Sequence, residues 1–268
     1  MEWKNIYRGM VMGIVDLVPG VSSGTIAVLL GFYDRLIAAI NGILTRDWKK
    51  HLRFLFPLGV GMAIALFSFS HLMNWLLSNH TKPTFYFFIG LIVGILPFLF
   101  RESNAKATFK WQHILLLLLG ILIICLLPVN PDEGGIIENK TFSTYVLLFF
   151  SGFVASAAMI IPGISGSLIM VIIGVFPTVI RAVTTLDFKI IIIVGIGIAL
   201  GVLTMSKIIH YFLEHYHSLT FALIIGLVIG SIFVIFPGWA QNISQLIVSI
   251  VVFAIGLLIA YVLGKVEY

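Results

Sequence analysis

One short phrase occurs twice in this chain, 143 residues apart, and each time it interrupts a strongly apolar run. Residues 16–25 read DLVPGVSSGT and residues 159–168 read MIIPGISGSL, so a Pro-Gly-x-Ser break recurs in register. Unpaired backbone amides are very costly in hydrocarbon, so such breaks survive at membrane depth where protein buries them or where they line a wet cavity. Secondary transporters place them at corresponding positions of two repeats. The duplicated break therefore predicts a transport site.

The composition is that of a protein with many membrane-spanning helices. Of the 268 residues, 60% are hydrophobic and 10% are charged, and the mean hydropathy is +1.13, whereas soluble domains have about 25% charged residues. Most apolar runs approach the roughly 20 residues that cross a bilayer, and we expect a single transmembrane domain over 1–268. These runs are 54–78, 83–100, 111–129, 143–161, 163–180, 188–213, 219–237 and 243–264.

Several functional classes are excluded at this stage. Cys125 is the only cysteine, so disulfides and cysteine-based zinc or iron–sulfur sites are excluded within one chain. The net charge of +5 is not accompanied by a basic stripe, so we expect no nucleic-acid partner. His210, Glu214, His215 and His217 fall at a predicted helix end and are interpreted as a solvated loop. We therefore predict no metal and no cofactor.

The similarity of the two halves extends well beyond the break. At the offset of 143, Gly9 matches Gly152 and Gly31 matches Gly174. We interpret the chain as two repeats of roughly 1–129 and 140–268. At an offset of 136, the matching pairs are Gly59 with Gly195, Gly61 with Gly197, Trp75 with Tyr211, Gly90 with Gly226 and Gly94 with Gly230.

Each repeat has two short segments around its break and then three long runs. It crosses the membrane three times if the short segments form a re-entrant hairpin and five times if both cross, so the repeats are inverted in either case. The segment between Lys4 and Pro19 has only 14 residues and carries Arg8 and Asp16, which makes a full crossing strained. We predict an all-α polytopic membrane protein with two inverted repeats, each with a re-entrant hairpin and three transmembrane helices.

The loop charges predict the orientation through the positive-inside rule. Eleven of the sixteen basic residues fall on the side of the N-terminus and of the 101–110 loop. We therefore place both termini in the cytoplasm. Arg181 and Lys189 fall on the opposite side, which suggests another role for them.

The breaks themselves are predicted to bind an anion. A helix that starts after proline with small polar residues presents free amides and the positive end of its dipole, a combination that binds phosphate. A single such phrase is better explained by a kink with packing glycines, but two aligned copies favour a site. The residues assigned to it are Pro19, Gly20, Ser22, Ser23, Gly24 and Thr25 in the first copy and Pro162, Gly163, Ser165, Gly166 and Ser167 in the second.

Four charged residues within apolar sequence are further candidates, because burying them is costly. Arg35 and Arg181 suit a phosphate head group, although Asp34 and Arg35 are equally explained as an interfacial ion pair. Lys207 is a binding candidate or a lysine that snorkels to the interface. Asp16 is the candidate for a coupling proton or sodium ion, or it neutralises an arginine.

The pattern G-x-x-x-G-x-x-D-x-x-P-G-x-S-x-G-T-x-A-x-x-x-G-x-Y-x-x-L-I, from Gly9 to Ile37, resembles the signature of the bacterial polyprenyl-phosphate transporter family. The resemblance covers essentially the whole chain, with Ser23 as a departure of little expected effect. It implies a flippase that returns undecaprenyl phosphate from the outer to the inner leaflet of the plasma membrane for cell-wall synthesis.

Two other functions remain open from the residues alone. The breaks would also suit an ion-coupled carrier of a small soluble anion. A membrane lipid phosphatase is disfavoured because PGISGS lacks the histidine that a PSGH motif supplies as nucleophile, so we predict that the chain is not an enzyme. The sequence does not specify the oligomeric state and leaves a homo-oligomer open.

Overall fold

The computed structural model describes residues 2–18, 20–127 and 135–267, and in these ranges it contains helices and no strands. The all-α prediction is confirmed. The helices are α1 (Lys4–Asp16), α2 (Ser23–Leu29), α3 (Tyr33–Gly42), α4 (Trp48–Asn79), α5 (Thr81–Glu102), α6 (Ala105–Thr108), α7 (Trp111–Cys125), α8 (Phe142–Ile160), α9 (Gly166–Ile173), α10 (Phe176–Thr184), α11 (Phe188–His215), α12 (His217–Ile235) and α13 (Ile243–Glu267).

The order of these helices recurs along the chain. A helix, a Pro-Gly break, two short helices, a long helix and two further apolar helices follow one another from α1 to α7 and again from α8 to α13, with the short α6 as an insertion. This order agrees with the offsets read from the sequence. The repeat boundaries of 1–129 and 140–268 stay a prediction.

Six helices in the described ranges are long and apolar enough to cross a membrane, and the number rises to eight if each bent pair of short helices counts as one crossing. The set of six spanning helices differs from the predicted set at two helices. The run 111–129 forms a helix of only 15 residues, α7, because Pro128 follows closely in the sequence, whereas 143–161 forms α8 with 19 residues. The six are α4, α5, α8, α11, α12 and the Ile243–Lys265 part of α13.

A second interruption follows each Pro-Gly break, and the sequence analysis did not foresee it. Gly31 and Gly174 take positive φ angles of 62° and 81° and end α2 and α9. Each helix closes in a Schellman motif, in which Phe32 N–H bonds to the Ala27 carbonyl and Val175 N–H to the Met170 carbonyl. The next helix therefore leaves at an angle of 119° in the first repeat and 110° in the second.

In each repeat the first helix and the long helix pack side by side and run in the same direction. Gly9 lies against Leu58 and Gly13 against Met62, so residue numbers rise together along α1 and α4. The same holds for α8 and α11, where a Cβ added at Gly197 would lie 2.2 Å from the Phe149 oxygen. Because α1 and α4 run the same way, the break and the two short helices between them return the chain to the end at which α1 begins.

The last helix of each repeat packs on the other repeat. Gly90 of α5 lies against Phe253 of α13, and Gly226 of α12 lies against Leu117 of α7. The equivalent helices α5 and α12 run in opposite directions, since Lys82 at the start of α5 donates a 2.8 Å hydrogen bond to the Trp239 carbonyl, just beyond the end of α12.

The centre of the molecule is formed by α2, which is buried along all seven of its residues. It packs against α1 and α5, and its apolar side chains join those of α5 and α12 in the main hydrophobic cluster. Phe88 and Phe221 are among the largest fully buried side chains there. The helix that follows the first break thus lies at the core rather than at the surface.

Candidate functional site

The two breaks adopt the same backbone conformation. Gly20 and Gly163 take φ angles of 87° and 92°, a region that L-residues rarely enter. Pro162 is buried, and its counterpart Pro19 lies outside the described residues. The matched glycines therefore turn the chain in the same sense, as expected from the repeated sequence.

Both turns pack against α12, where the glycines allow a close approach. A Cβ added at Gly163 would lie 2.7 Å from the Leu227 carbonyl carbon and 2.8 Å from the Val228 nitrogen. A Cβ added at Gly20 would lie 2.6 Å from the Ile235 side chain. A larger residue at either turn would push the break away from α12.

The two breaks also meet each other. The Gly163 N–H donates a buried 3.0 Å hydrogen bond to the Thr25 hydroxyl, across 138 residues of sequence. A Cβ added at Gly24 would lie 3.4 Å from Pro162 Cα. The Tyr33 hydroxyl donates to the Ile160 carbonyl at 3.0 Å. Residues of both repeats thus form a single polar site inside the helical bundle.

Polar atoms at this site have few partners within the protein. Ser22 is 2% exposed, and its Oγ has no hydrogen-bond partner among the described residues. In the second break, the Ser165 and Ser167 hydroxyls bond to each other at 2.9 Å, and neither N-cap residue, Ser22 or Ser165, caps its own helix through its side chain. Because buried polar groups are nearly always paired in proteins, the free Ser22 hydroxyl indicates a place for a ligand atom.

Asp16 lies at the end of α1, beside the start of α2. Its carboxylate accepts a hydrogen bond from the Ser23 N–H at 3.2 Å. The aspartate thereby joins the helix before the break to the helix after it. Met159 occupies the matching position in the second repeat, so the carboxylate is a feature of one break alone.

A cavity of about 250 Å³ adjoins the first break. Ser23, Gly24 and Tyr33 line it from the first repeat, and Ser156 and Ile160 line it from α8. Apolar side chains of α3 and α4 form most of the remaining wall. Tyr33 and Ser156 were not assigned to the site from the sequence, although the match of Tyr33 with Phe176 marked an aromatic position.

The three basic residues predicted to bind the anion lie away from the two breaks. Arg35 forms an ion pair with Glu2 and stacks over the Phe54 ring at 4.7 Å, near the start of α1. Lys207 is exposed on α11. Arg181 lines a separate cavity of about 320 Å³ with the ion pair of Lys140 and Asp187. The described contacts do not bring these cations to the breaks.

The ion pair beside Arg181 anchors the start of α11. The hydrogen bond from the Lys140 ammonium lowers the pKa of the Asp187 carboxyl, and the same contact raises the pKa of Lys140. Asp187 also accepts a hydrogen bond from the Ile190 N–H at 3.4 Å and so caps the helix. The segment before α8 is thereby tied to the first turn of α11.

Comparison with known proteins agrees with this architecture. Residues 12–253 match the model of a family described as undecaprenyl phosphate translocase-like. The chain is 44% identical to a polyprenyl-phosphate transporter of Staphylococcus aureus, with 99% of this chain and 97% of that protein aligned. It is 34% identical to a polyprenyl-phosphate transporter of Vibrio cholerae, with 91% and 80% aligned. No solved structure matches the chain. Both relatives are transporters by name, which confirms the prediction that the chain is not an enzyme.

Proposed function

The chain belongs to the undecaprenyl phosphate translocase-like family, and from this premise we propose that it transports polyprenyl phosphate across the bacterial plasma membrane. The lipid moves from the outer to the inner leaflet, as a carrier recycled for cell-wall synthesis would. Both termini face the cytoplasm, following the distribution of basic residues.

The observation that carries the proposal is the contact between the two breaks. Thr25 and Gly163 join them, and the unpartnered Ser22 hydroxyl lies in the same buried region. A phosphate bound there accepts hydrogen bonds from hydroxyls and from amides at the helix starts other than that of Ser23, which Asp16 accepts. Such charge-assisted bonds are strong where water is excluded. The isoprenoid tail stays in apolar surroundings, and the cavity beside Tyr33 offers space for the part nearest the phosphate.

The two repeats are inverted in this proposal, which gives the head group access to one leaflet at a time. The opposite directions of α5 and α12 support inversion, because these helices are equivalent in sequence. The return of the chain between α1 and α4 supports a re-entrant hairpin around the first break. Rocking of one repeat against the other then opens the central site to either side.

The proposal is tested by transport of a fluorescent short-chain polyprenyl phosphate in proteoliposomes. We expect Ser22→Ala to lower the rate at least tenfold, because a hydroxyl that has no partner in the protein would lose its bond to the phosphate. Ser249→Ala is the matched control, since the Ser249 hydroxyl in α13 is also buried and unpartnered but belongs to a different region. Equal rates in the two variants would contradict binding at the break.

The same assay separates lipid transport from transport of a soluble anion. Inorganic phosphate in excess should leave the lipid rate unchanged, because it lacks the tail that holds the substrate in the bilayer. Uptake of radioactive phosphate by the same vesicles, with competition between the two, would instead support the soluble-anion carrier.

Asp16 is the proposed coupling residue. Asp16→Asn keeps an acceptor near the Ser23 N–H but removes the negative charge. We expect the variant to transport the lipid without dependence on a proton or sodium gradient. If the variant is slower but keeps the full gradient dependence, Asp16 is not the coupling residue and its role is to position α2.

A further inference from the structure

A second polar cluster lies away from the breaks, at the junction of three helices. Asp34 is in the first turn of α3, Glu102 is the last residue of α5 and His217 is the first residue of α12. The distance from Asp34 Oδ2 to His217 Nε2 is 3.8 Å. One ligand atom from each of the three residues lies within 4.8 Å of the other two.

The charges of this cluster call for a positive partner. Two carboxylates so close together repel each other, and protonation of His217 would offset only one of the two negative charges. Arg35, next to Asp34 in the chain, is engaged by Glu2. A cavity of about 40 Å³, bordered by Gly31, Asp34 and Glu102, adjoins the cluster, and this volume exceeds the roughly 10–15 Å³ that one water molecule needs.

We propose that Asp34, Glu102 and His217 bind one divalent transition-metal ion such as Zn²⁺. One imidazole nitrogen and two carboxylate oxygens are ligands that zinc accepts, with water in the fourth position. Tetrahedral coordination at metal–ligand distances of about 2.1 Å places neighbouring ligand atoms about 3.4 Å apart. The partly exposed side chains of Asp34 and Glu102 reach that spacing by rotation.

The ion would join the two repeats at one end of the molecule. Asp34 and Glu102 belong to the first repeat, and His217 belongs to the second. At the other end, the matching positions are Pro177, Gly238 and Thr81, which offer no carboxylate or imidazole. A bound ion therefore ties the repeats together at a single face and opposes their separation there.

The test is zinc binding to the purified full-length protein after treatment with a chelator. Calorimetry with Zn²⁺ and the visible absorption of Co²⁺ should reveal one site in the wild-type protein. We expect Asp34→Asn, Glu102→Gln and His217→Ala each to weaken Zn²⁺ binding at least tenfold. His210→Ala is the control, because His210 lies near the same end but pairs with Glu214, at 3.2 Å, outside the proposed ligand set. Wild-type affinity in all three variants, or equal loss in the control, would overturn the proposal.

Two further readouts address the tie between the repeats. Zn²⁺ should raise the Tm of the wild-type protein and slow its lipid transport, and Asp34→Asn should abolish both effects. Asp34 is exposed, so its variant is expected to fold and to transport in the absence of metal. Zinc binding is measured without lipid, so its failure leaves the proposed transport function untouched. Zinc binding without any change in Tm would refute the joining of the repeats.

Discussion

Gly163 illustrates how much a single position at the breaks is constrained. It combines a positive φ angle with backbone contact to α12, whereas Gly174 has a positive φ angle but no atom within 4 Å of an added Cβ. We expect Gly174→Ala to destabilise the protein by about 1–2 kcal/mol, the cost of the left-handed backbone. Gly163→Ala should cost at least about 1–3 kcal/mol more, because the methyl group overpacks the contact. Thermal unfolding in detergent measures both, and equal shifts would show that the contact with α12 does not matter.

Thr25 allows the contact between the breaks to be tested. Its hydroxyl accepts the Gly163 N–H in a buried setting, so Thr25→Val should destabilise the protein by about 1–3 kcal/mol by leaving that amide unpaired. Thr25→Ser keeps the acceptor and should have a smaller effect. Thermal unfolding of the three proteins in one detergent distinguishes these cases. Identical stability of the Val and Ser variants would mean that the hydrogen bond contributes nothing.

The residues of the site were predictable to different degrees. Pro162, Gly163 and Ser165 could be assigned from the sequence because a repeated helix breaker in apolar sequence is rare. Tyr33 could not be, because its contact with Ile160 spans 127 residues. Arg35 has the residue type that suits phosphate, yet it pairs with Glu2, which lies 33 residues away in sequence and close in space.

At the scale of the helix, the start of α11 depends on the pair of Asp187 and Lys140. The lowered pKa of Asp187 means that its contribution to stability is present above the unfolded pKa of about 3.9 and is lost as the pH falls through the folded value. The raised pKa of Lys140 means that its contribution is present below about pH 10.4 and is lost as the pH rises through the folded value.

We therefore expect Asp187→Asn to lower the Tm between about pH 5 and pH 9 and to match the wild type at strongly acidic pH. Asparagine is a good helix cap, so the variant isolates the charge. Asp47→Asn at the start of α4 is the control, because Asp47 makes no cap hydrogen bond. A Tm difference that is independent of pH would contradict the role of the ion pair.

The contact between α8 and α11 offers another pair of variants on one helix. A Cβ at Gly197 would lie 2.2 Å from the Phe149 oxygen, whereas one at Gly195 would meet nothing within 4 Å. Gly197→Ala should destabilise the protein by about 1–3 kcal/mol, and Gly195→Ala should stabilise it by about 0.5–1 kcal/mol through helix propensity. Thermal unfolding of the two variants and the wild type measures both effects. A destabilising Gly195→Ala would show that backbone flexibility, rather than packing, accounts for the glycines of α11.

Helices were easier to predict than the turns between them. The long apolar runs became helices as expected, because hydropathy and length suffice to identify them. The turn at Gly31 was overlooked, since an isolated glycine within an apolar run is as readily explained by helix packing. The matching glycine at position 174 was the available signal, because both copies end a helix in the same way.

At the scale of the whole molecule, the proposed inversion of the repeats leads to a labelling experiment. Lys106, in the short helix α6, and Asn242 are equivalent positions in the connections before the last helix of each repeat, and both are exposed. In a Cys125→Ala background, we expect Lys106→Cys to react with an impermeant maleimide from the cytoplasmic side and Asn242→Cys from the outside. Reaction of both from the same side would contradict inversion.

The grouping of Asp34, Glu102 and His217 belongs to this scale as well. The sequence analysis placed His217 in a solvated loop with its neighbours, which is reasonable from spacing alone. The cluster exists because α5 and α12 run in opposite directions, so that the end of one lies beside the start of the other. Contacts of this kind depend on topology and leave no trace in local sequence.

The exchange of last helices between the repeats has a consequence for biosynthesis. The face of α5 that carries Gly90 and Gly94 is covered by α13, which begins at Ile243, whereas α5 ends at Glu102. During translation this face stays uncovered by α13 while more than a hundred further residues are synthesised. Translation that stops before α13 would release a chain in which this glycine face of α5 is uncovered. Membrane quality-control proteases are well placed to recognise such a face.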